Sequence, residues 1–175
     1  MYFCGGFREG DSVPFFISMM KSMISKDLIS ELAQSFLKDT ANYLIQVNVR
    51  SGNRISVFIE NDDHVSIKDC IALSRHIESN LDREKQDFEL EVSSPGIDSP
   101  FKNIRQYKKY AGKDVELIFV NGEKIQGILL GADEAGFDIK PSPLKSKKNN
   151  QQANDILPVR YSFDEVKETK LVITF

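Results

Sequence analysis

Histidine and cysteine are scarce in this chain, with two of each among 175 residues. Cys4 and Cys70 lie far apart in dissimilar surroundings. That excludes a disulfide framework and a structural zinc site, which need more thiols at closer spacing. The chain reads as belonging to a reducing compartment, and the expected location is cytoplasmic. No apolar run approaches the roughly 20 residues that span a bilayer, so no membrane partner is expected. Val13–Met20 is short, has no basic leader beyond Arg8, and is followed by Lys21 where a secretory segment would have a small-residue cleavage site. Residues 1–22 read as an irregular extension.

Catalytic motifs are equally sparse. A nucleophilic hydrolase needs a base beside its nucleophile, most often histidine, and only His64 and His76 exist. His76 falls in a helical segment between Arg75 and Ile77 and reads as a solvated surface residue. His64 follows Asp62 and Asp63, but neighbouring turn residues seldom converge on one metal ion, and turn chemistry accounts for all three. There is no Walker A loop, no GxGxxG and no HExxH, and Cys70 on an apolar helix face reads as core. No catalytic residue, metal, cofactor or small-molecule substrate is expected, and the protein is not expected to be an enzyme.

What the chain does have is an uneven charge. Met1–Asp98 holds 10 Lys+Arg against 16 Asp+Glu, and Ser99–Phe175 holds 13 against 10. An acidic front suits a basic protein and a basic back suits phosphates, unless the two halves differ only in how their solvated faces are decorated. A hydrophobic content of 41% with 28% charged residues is that of a globular chain.

Periodicity predicts the architecture. Lys26–Leu37 carries a helical apolar stripe. Tyr43–Arg50 and Arg54–Asn61 flank Ser51-Gly52-Asn53 as a hairpin. A second helix begins at Ser66, capped by its hydroxyl with Asp69 at the third position, and Ile67, Cys70, Ile71, Ser74, Ile77 and Leu81 trace its inward face. Phe88–Ser93 alternates as a half-buried strand. After Asp98 come five short apolar segments: Asp114–Val120, Lys124–Ala132, Gly136–Lys140, Ile156–Ser162 and Thr169–Phe175. The first two are joined by the hairpin signal Asn121-Gly122, and a polar insert, Pro141–Asp155, precedes the fourth. The predicted class is α+β: an α-β-β-α-β two-layer domain over residues 23–98, then a small, closed or nearly closed five-stranded β-barrel over 99–175.

Two segments stand out. Phe101–Lys113 contains Lys102, Arg105, Lys108, Lys109 and Lys113 with no acid, interleaved with Phe101, Tyr107 and Tyr110. Cations beside stacking rings are what an RNA surface requires, yet the same rings could equally pack between domains. The second is the connector built on Ser93, Ser94, Pro95, Gly96, Asp98 and Pro100. There Pro95-Gly96 suits the centre of a type II turn with Gly96 at positive φ, and Pro100 stiffens the end of the connector.

Leu90-Glu91-Val92-Ser93-Ser94-Pro95-Gly96-Ile97-Asp98 with Pro100 resembles the central segment of the ribosome maturation factor RimP family. Val65–Cys70, Ser74-Arg75 and Leu81-Asp82 upstream are similar to the family's second helix. Phe101, Gly112-Lys113, Gly127, Leu129-Leu130-Gly131 and Phe163–Phe175 continue the likeness. Ser99 departs from it, standing where the family usually has arginine. The resemblance implies an N-terminal α/β domain and a C-terminal Sm-like or SH3-like barrel. It further implies a monomer that binds the immature small (30S) ribosomal subunit, touching 16S rRNA and a basic decoding-centre ribosomal protein without catalysis. A general Sm-like RNA-binding protein, not dedicated to ribosomes, is the alternative.

Overall fold

The computed structural model describes residues 24–142 and 157–173. Ser25 caps α1 (Lys26–Leu37), its Oγ accepting from the Leu28 amide at 3.1 Å. Ile29, Ala33 and Leu37 recur at helical spacing and are buried. β1 (Asn42–Arg50) and β2 (Arg54–Asn61) form the expected antiparallel hairpin. In its turn Gly52 and Asn53 take φ of 78° and 53°, a region that asparagine enters more cheaply than most residues with a side chain. Asn53 is buried. Its Oδ1 accepts from the Ile24 amide at 3.4 Å, its Nδ2 donates to the Asp87 carbonyl at 2.9 Å, and its own carbonyl accepts from the Glu89 amide at 3.1 Å.

β2, α2 (Ile67–Ser79) and β3 (Glu89–Ser93) make a βαβ unit with β2 and β3 parallel, giving the order β1-β2-β3. The cap of α2 is the one expected: Ser66 Oγ accepts from the Asp69 amide at 3.2 Å, and the Ser66 amide donates to the Asp69 carboxylate at 3.0 Å. The inward stripe holds only in part. Ile77 is fully buried and Cys70 and Leu81 pack against the core, but Leu73 is buried with them while Ile67 and Ile71 are 80% and 46% exposed. The apolar arc of α2 is wider than the face the sheet covers. The crossover selects the flank centred on Leu73, about 120° round the helix from Ile67. His76 is corrected by the same packing: its ring lies 4.9 Å from that of Phe36 on α1, and its Nε2 is buried without a hydrogen-bond partner among the described residues. Both helices cover one face of the sheet, over Val47, Ile55, Val57 and Ile59. Strand alternation places Tyr43 and Glu60, partners in register, on the opposite face.

The connector turns two residues later than expected. The Ser99 amide donates to the Gly96 carbonyl at 2.8 Å, so Ile97 and Asp98 form the centre of the turn. Aspartate is at home there, and Gly96 is not among the residues at positive φ. A Cβ at 96 would sit 2.8 Å from Asp98 Oδ1, the tip of an exposed side chain that can swing aside, so neither φ nor crowding demands glycine there.

Behind the connector lie α3 (Ile104–Lys109), β4 (Asp114–Phe119), β5 (Lys124–Asp133), β6 (Gly136–Pro141), β7 (Val159–Tyr161) and β8 (Val166–Leu171). The β4–β5 hairpin turns at Gly122, with φ of 87°, as Asn121-Gly122 predicts. The last strand starts three residues earlier than its apolar run, because Val166 already pairs with Phe119. The strand order is β7-β6-β5-β4-β8, and among the described residues the edges β7 and β8 do not pair. The sheet is therefore open, not a closed barrel. It nevertheless curls strongly: Phe119 on β4 and Tyr161 on β7, with two strands between them in the order, bring their rings within 5.2 Å. A 3-10 turn, Phe163–Glu165, bridges the two edge strands in the chain. Val115, Leu117, Leu129, Phe137 and Ile139 are buried inside the curl with Phe101 and Tyr107, in a cluster that shares no residue with the front one.

Candidate nucleic-acid interface

The acid-free segment Phe101–Lys113 folds around a short helix. Asn103 caps α3, and Gln106 Oε1 accepts from the amides of Lys102 and Asn103 at 2.7 and 3.1 Å. Helical spacing then sends its aromatic and basic side chains in different directions. Tyr107 points into the curled sheet, 8% exposed, its ring 4.9 Å from Phe137 and 5.3 Å from Phe163. Its hydroxyl donates to Thr169 Oγ1 at 2.9 Å, and burial raises its pKa. Phe101 packs edge-on to Tyr107 at 5.1 Å and stacks on Tyr110 at 5.3 Å, while the Phe101 amide donates to the Thr169 carbonyl at 2.9 Å. The three rings that sequence pattern offers to bases are thus used to close the mouth of the sheet. Tyr110 alone keeps a partly open face.

The five cations divide into two groups. Arg105 and Lys109, one helical turn apart, reach the front half. Lys109 Nζ binds Glu60 Oε1 at 2.9 Å and the Asn61 carbonyl at 2.8 Å, with its side chain only 13% exposed, so a cation that the sequence pattern offers to RNA is engaged within the protein. Arg105 makes a two-pronged contact with the Asp62 carboxylate, and its guanidinium carbon lies 3.9 Å over the Tyr43 ring. Hydrogen bonding from Arg105 lowers the Asp62 pKa, and Asp62 is thereby removed from any trio with His64. Among the described residues no group of histidine, cysteine or carboxylate side chains could hold a metal. Lys102, Lys108 and Lys113 are exposed or half-exposed and form no ion pair among the described residues. Lys102 borders a cleft of 320 Å³ lined also by Asn103, Ile104, Phe163 and Lys167. Sequence reasoning missed Lys167, which sits in the acid-bearing stretch Asp164–Glu168 and gives no pattern of its own. Lys145, Lys147 and Lys148 of the polar insert, which the sequence offers as an extension of the same basic field, lie outside the described residues.

Ser93 closes β3. Ser94, Gly96 and Asp98 are largely open to solvent, and Pro95 and Pro100 are half-buried. Cys70 is half-buried against the front core, and burial raises its thiol pKa. Among the described residues no helix is long and apolar enough to cross a membrane.

Fold and site together define a mixed α+β protein with two sheets, one topped by helices and one curled around aromatic rings, tied by a basic helix. A family model described as the RimP N-terminal domain matches residues 32–98. The ribosome maturation factor RimP of Christiangramia forsetii is 35% identical over 156 residues, 86% of this chain and 99% of that protein. The factor of the same name from Porphyromonas gingivalis is 35% identical over 74% of this chain and 90% of its own length, and that from Flavobacterium psychrophilum 31% identical over 87% and 100%. The chain belongs to the ribosome maturation factor RimP family.

Proposed function

We propose that this protein is a cytoplasmic ribosome maturation factor that binds the immature small subunit and assists its assembly without catalysis, touching 16S rRNA with its back half and a basic ribosomal protein with its front. The observation that carries this reading is similarity to a factor of that name along 99% of that factor's length. The charge asymmetry supports the division of labour, with Lys102, Lys108 and Lys113 outside the ion pairs on the basic half. On this reading residues 23–98 and 99–175 are two domains, and the curled sheet is a variant of the Sm-like or SH3-like barrel. Binding holds protein and RNA in register until the mature site forms.

The test is sedimentation. The tagged protein should travel with free small subunits and not with mature ribosomes, and cells lacking it should accumulate immature small subunits. Replacing Lys102, Lys108 and Lys113 by glutamate should weaken subunit binding and remove about 2 from the slope of log K against log salt, at roughly 0.7 per phosphate contact. Recovery in ribosome-free fractions alone would overturn the reading and leave a general RNA-binding role.

A further inference from the structure

The Glu60–Asn61–Asp62 end of β2 presents two carboxylates and a carbonyl to two cations of the segment whose remaining lysines form no ion pair. A carboxylate receives a guanidinium fork or an ammonium through paired anionic oxygens, as a phosphate does. Glu60 is 5% exposed and Lys109 nearly as enclosed, so this half of the contact is shut off from solvent, while Asp62 and Arg105 lie at its open rim with side chains 64% and 39% exposed. The front and back apolar clusters share no residue, and two ion pairs together with the Arg105–Tyr43 contact tie the halves here. Closure also has a defect. Tyr43, 9% exposed and lying under Arg105, buries its hydroxyl with no hydrogen-bond partner among the described residues. An unpaired buried donor and a desolvated ion pair both oppose closure.

We infer that Glu60 and Asp62 are an internal phosphate mimic that masks Arg105 and Lys109 in the free protein, and that an RNA phosphate entering at the rim displaces them. This rests on the proposed RNA role of the basic segment and names its regulation. RNA binding by the back half then releases α3 from the front sheet, so the two halves are coupled when free and independent when bound. Two contacts held in reserve are added to those of Lys102, Lys108 and Lys113.

The test uses the full chain with two readouts. Amine-reactive labelling of the free protein should modify Lys108 readily and Lys109 poorly, and in Glu60→Gln/Asp62→Asn the two should label alike. Asp62→Asn alone breaks only the exposed pair and leaves no buried charge unpaired, so it remains informative if the double variant folds poorly. Anisotropy of a fluorescein-labelled single-stranded RNA should show tighter binding by Asp62→Asn, and by the double variant on the order of tenfold, with the salt slope unchanged because the bound state makes the same phosphate contacts in every form. RNA affinity unchanged in both variants, or a steeper slope showing that the unaltered protein never releases the two cations to RNA, would overturn the inference and leave the RNA reading standing. Equal labelling of Lys108 and Lys109 in the unaltered protein would overturn it too. Absence of RNA binding by every form, with Lys109 still protected, would overturn the RNA reading and reduce the contact to a structural tie.

Discussion

The front sheet buries Val47, Ile55, Val57 and Ile59 beneath two amphipathic helices, whereas the back sheet buries Val115, Leu117, Leu129 and Ile139 by curling around Phe101, Tyr107 and Phe137. A three-stranded sheet with helices on one face is filled mainly by aliphatic side chains, with Phe88 the one ring among the buried members of its cluster. A curled, unclosed sheet has a mouth, and flat rings meeting edge to face fill it with few voids. The difference explains why rings and cations share one segment between the halves. The rings belong to the core of the back half, and the cations are what remains on the outside of the plug. Aromatic interleaving in a basic stretch therefore does not by itself identify a base-stacking surface.

The largest effect should come from Phe137→Ala, which empties the centre of the ring cluster and should cost about 3–5 kcal/mol. Hydrogen exchange should place the loss in β4–β8 while amides of β1 and β2 keep their protection. Equal loss in both halves would mean that they unfold as one unit, and the contrast between them would then be only geometric. Next comes Lys109→Met, which leaves Glu60 buried and unpaired at a cost of about 3 kcal/mol in urea denaturation, most of it recovered by adding Glu60→Leu. A loss below about 1 kcal/mol would show that water already reaches the pair. Tyr107→Phe should cost about 1–2 kcal/mol through the lost bond to Thr169 and leave RNA affinity unchanged. Weaker RNA binding at unchanged stability would return Tyr107 to the interface. Ser66→Ala, confined to the front half, should cost about 1 kcal/mol, seen as a lower melting temperature without change at β4–β8.

Much of this fold is legible in the sequence, and the failures have a common cause. Ser66 with Asp69, Asn121-Gly122 and the alternation of Phe88, Leu90 and Val92 act over a few residues, so local chemistry decides them. The inward flank of α2, the contact of His76 with Phe36 and the partners of Arg105 and Lys109 depend on segments far away in the chain. Between Lys109 and Glu60 lie almost fifty residues, and nothing near either one announces the other. Gly96 shows a subtler failure: Pro95-Gly96 has the better turn chemistry, while Ile97 and Asp98 beside them form the turn. The open sheet escapes sequence reasoning because five short strands say how much sheet there is, but not whether its last edge meets its first.

Asn53 bears on how the chain finds its shape. The β2–β3 pairing is parallel and is reached only after the long excursion through α2, so no tight turn sets its alignment, and a slip of one residue would exchange the faces of β3. The three hydrogen bonds of Asn53, to Ile24, Asp87 and Glu89, join the chain entering α1 to the chain entering β3 at one point. The adjacent pair is Arg54 with Glu89, the first of the register. One residue thus acts as the origin from which the two strands are measured, and pairing can close from that end like a zip started at its fixed stop.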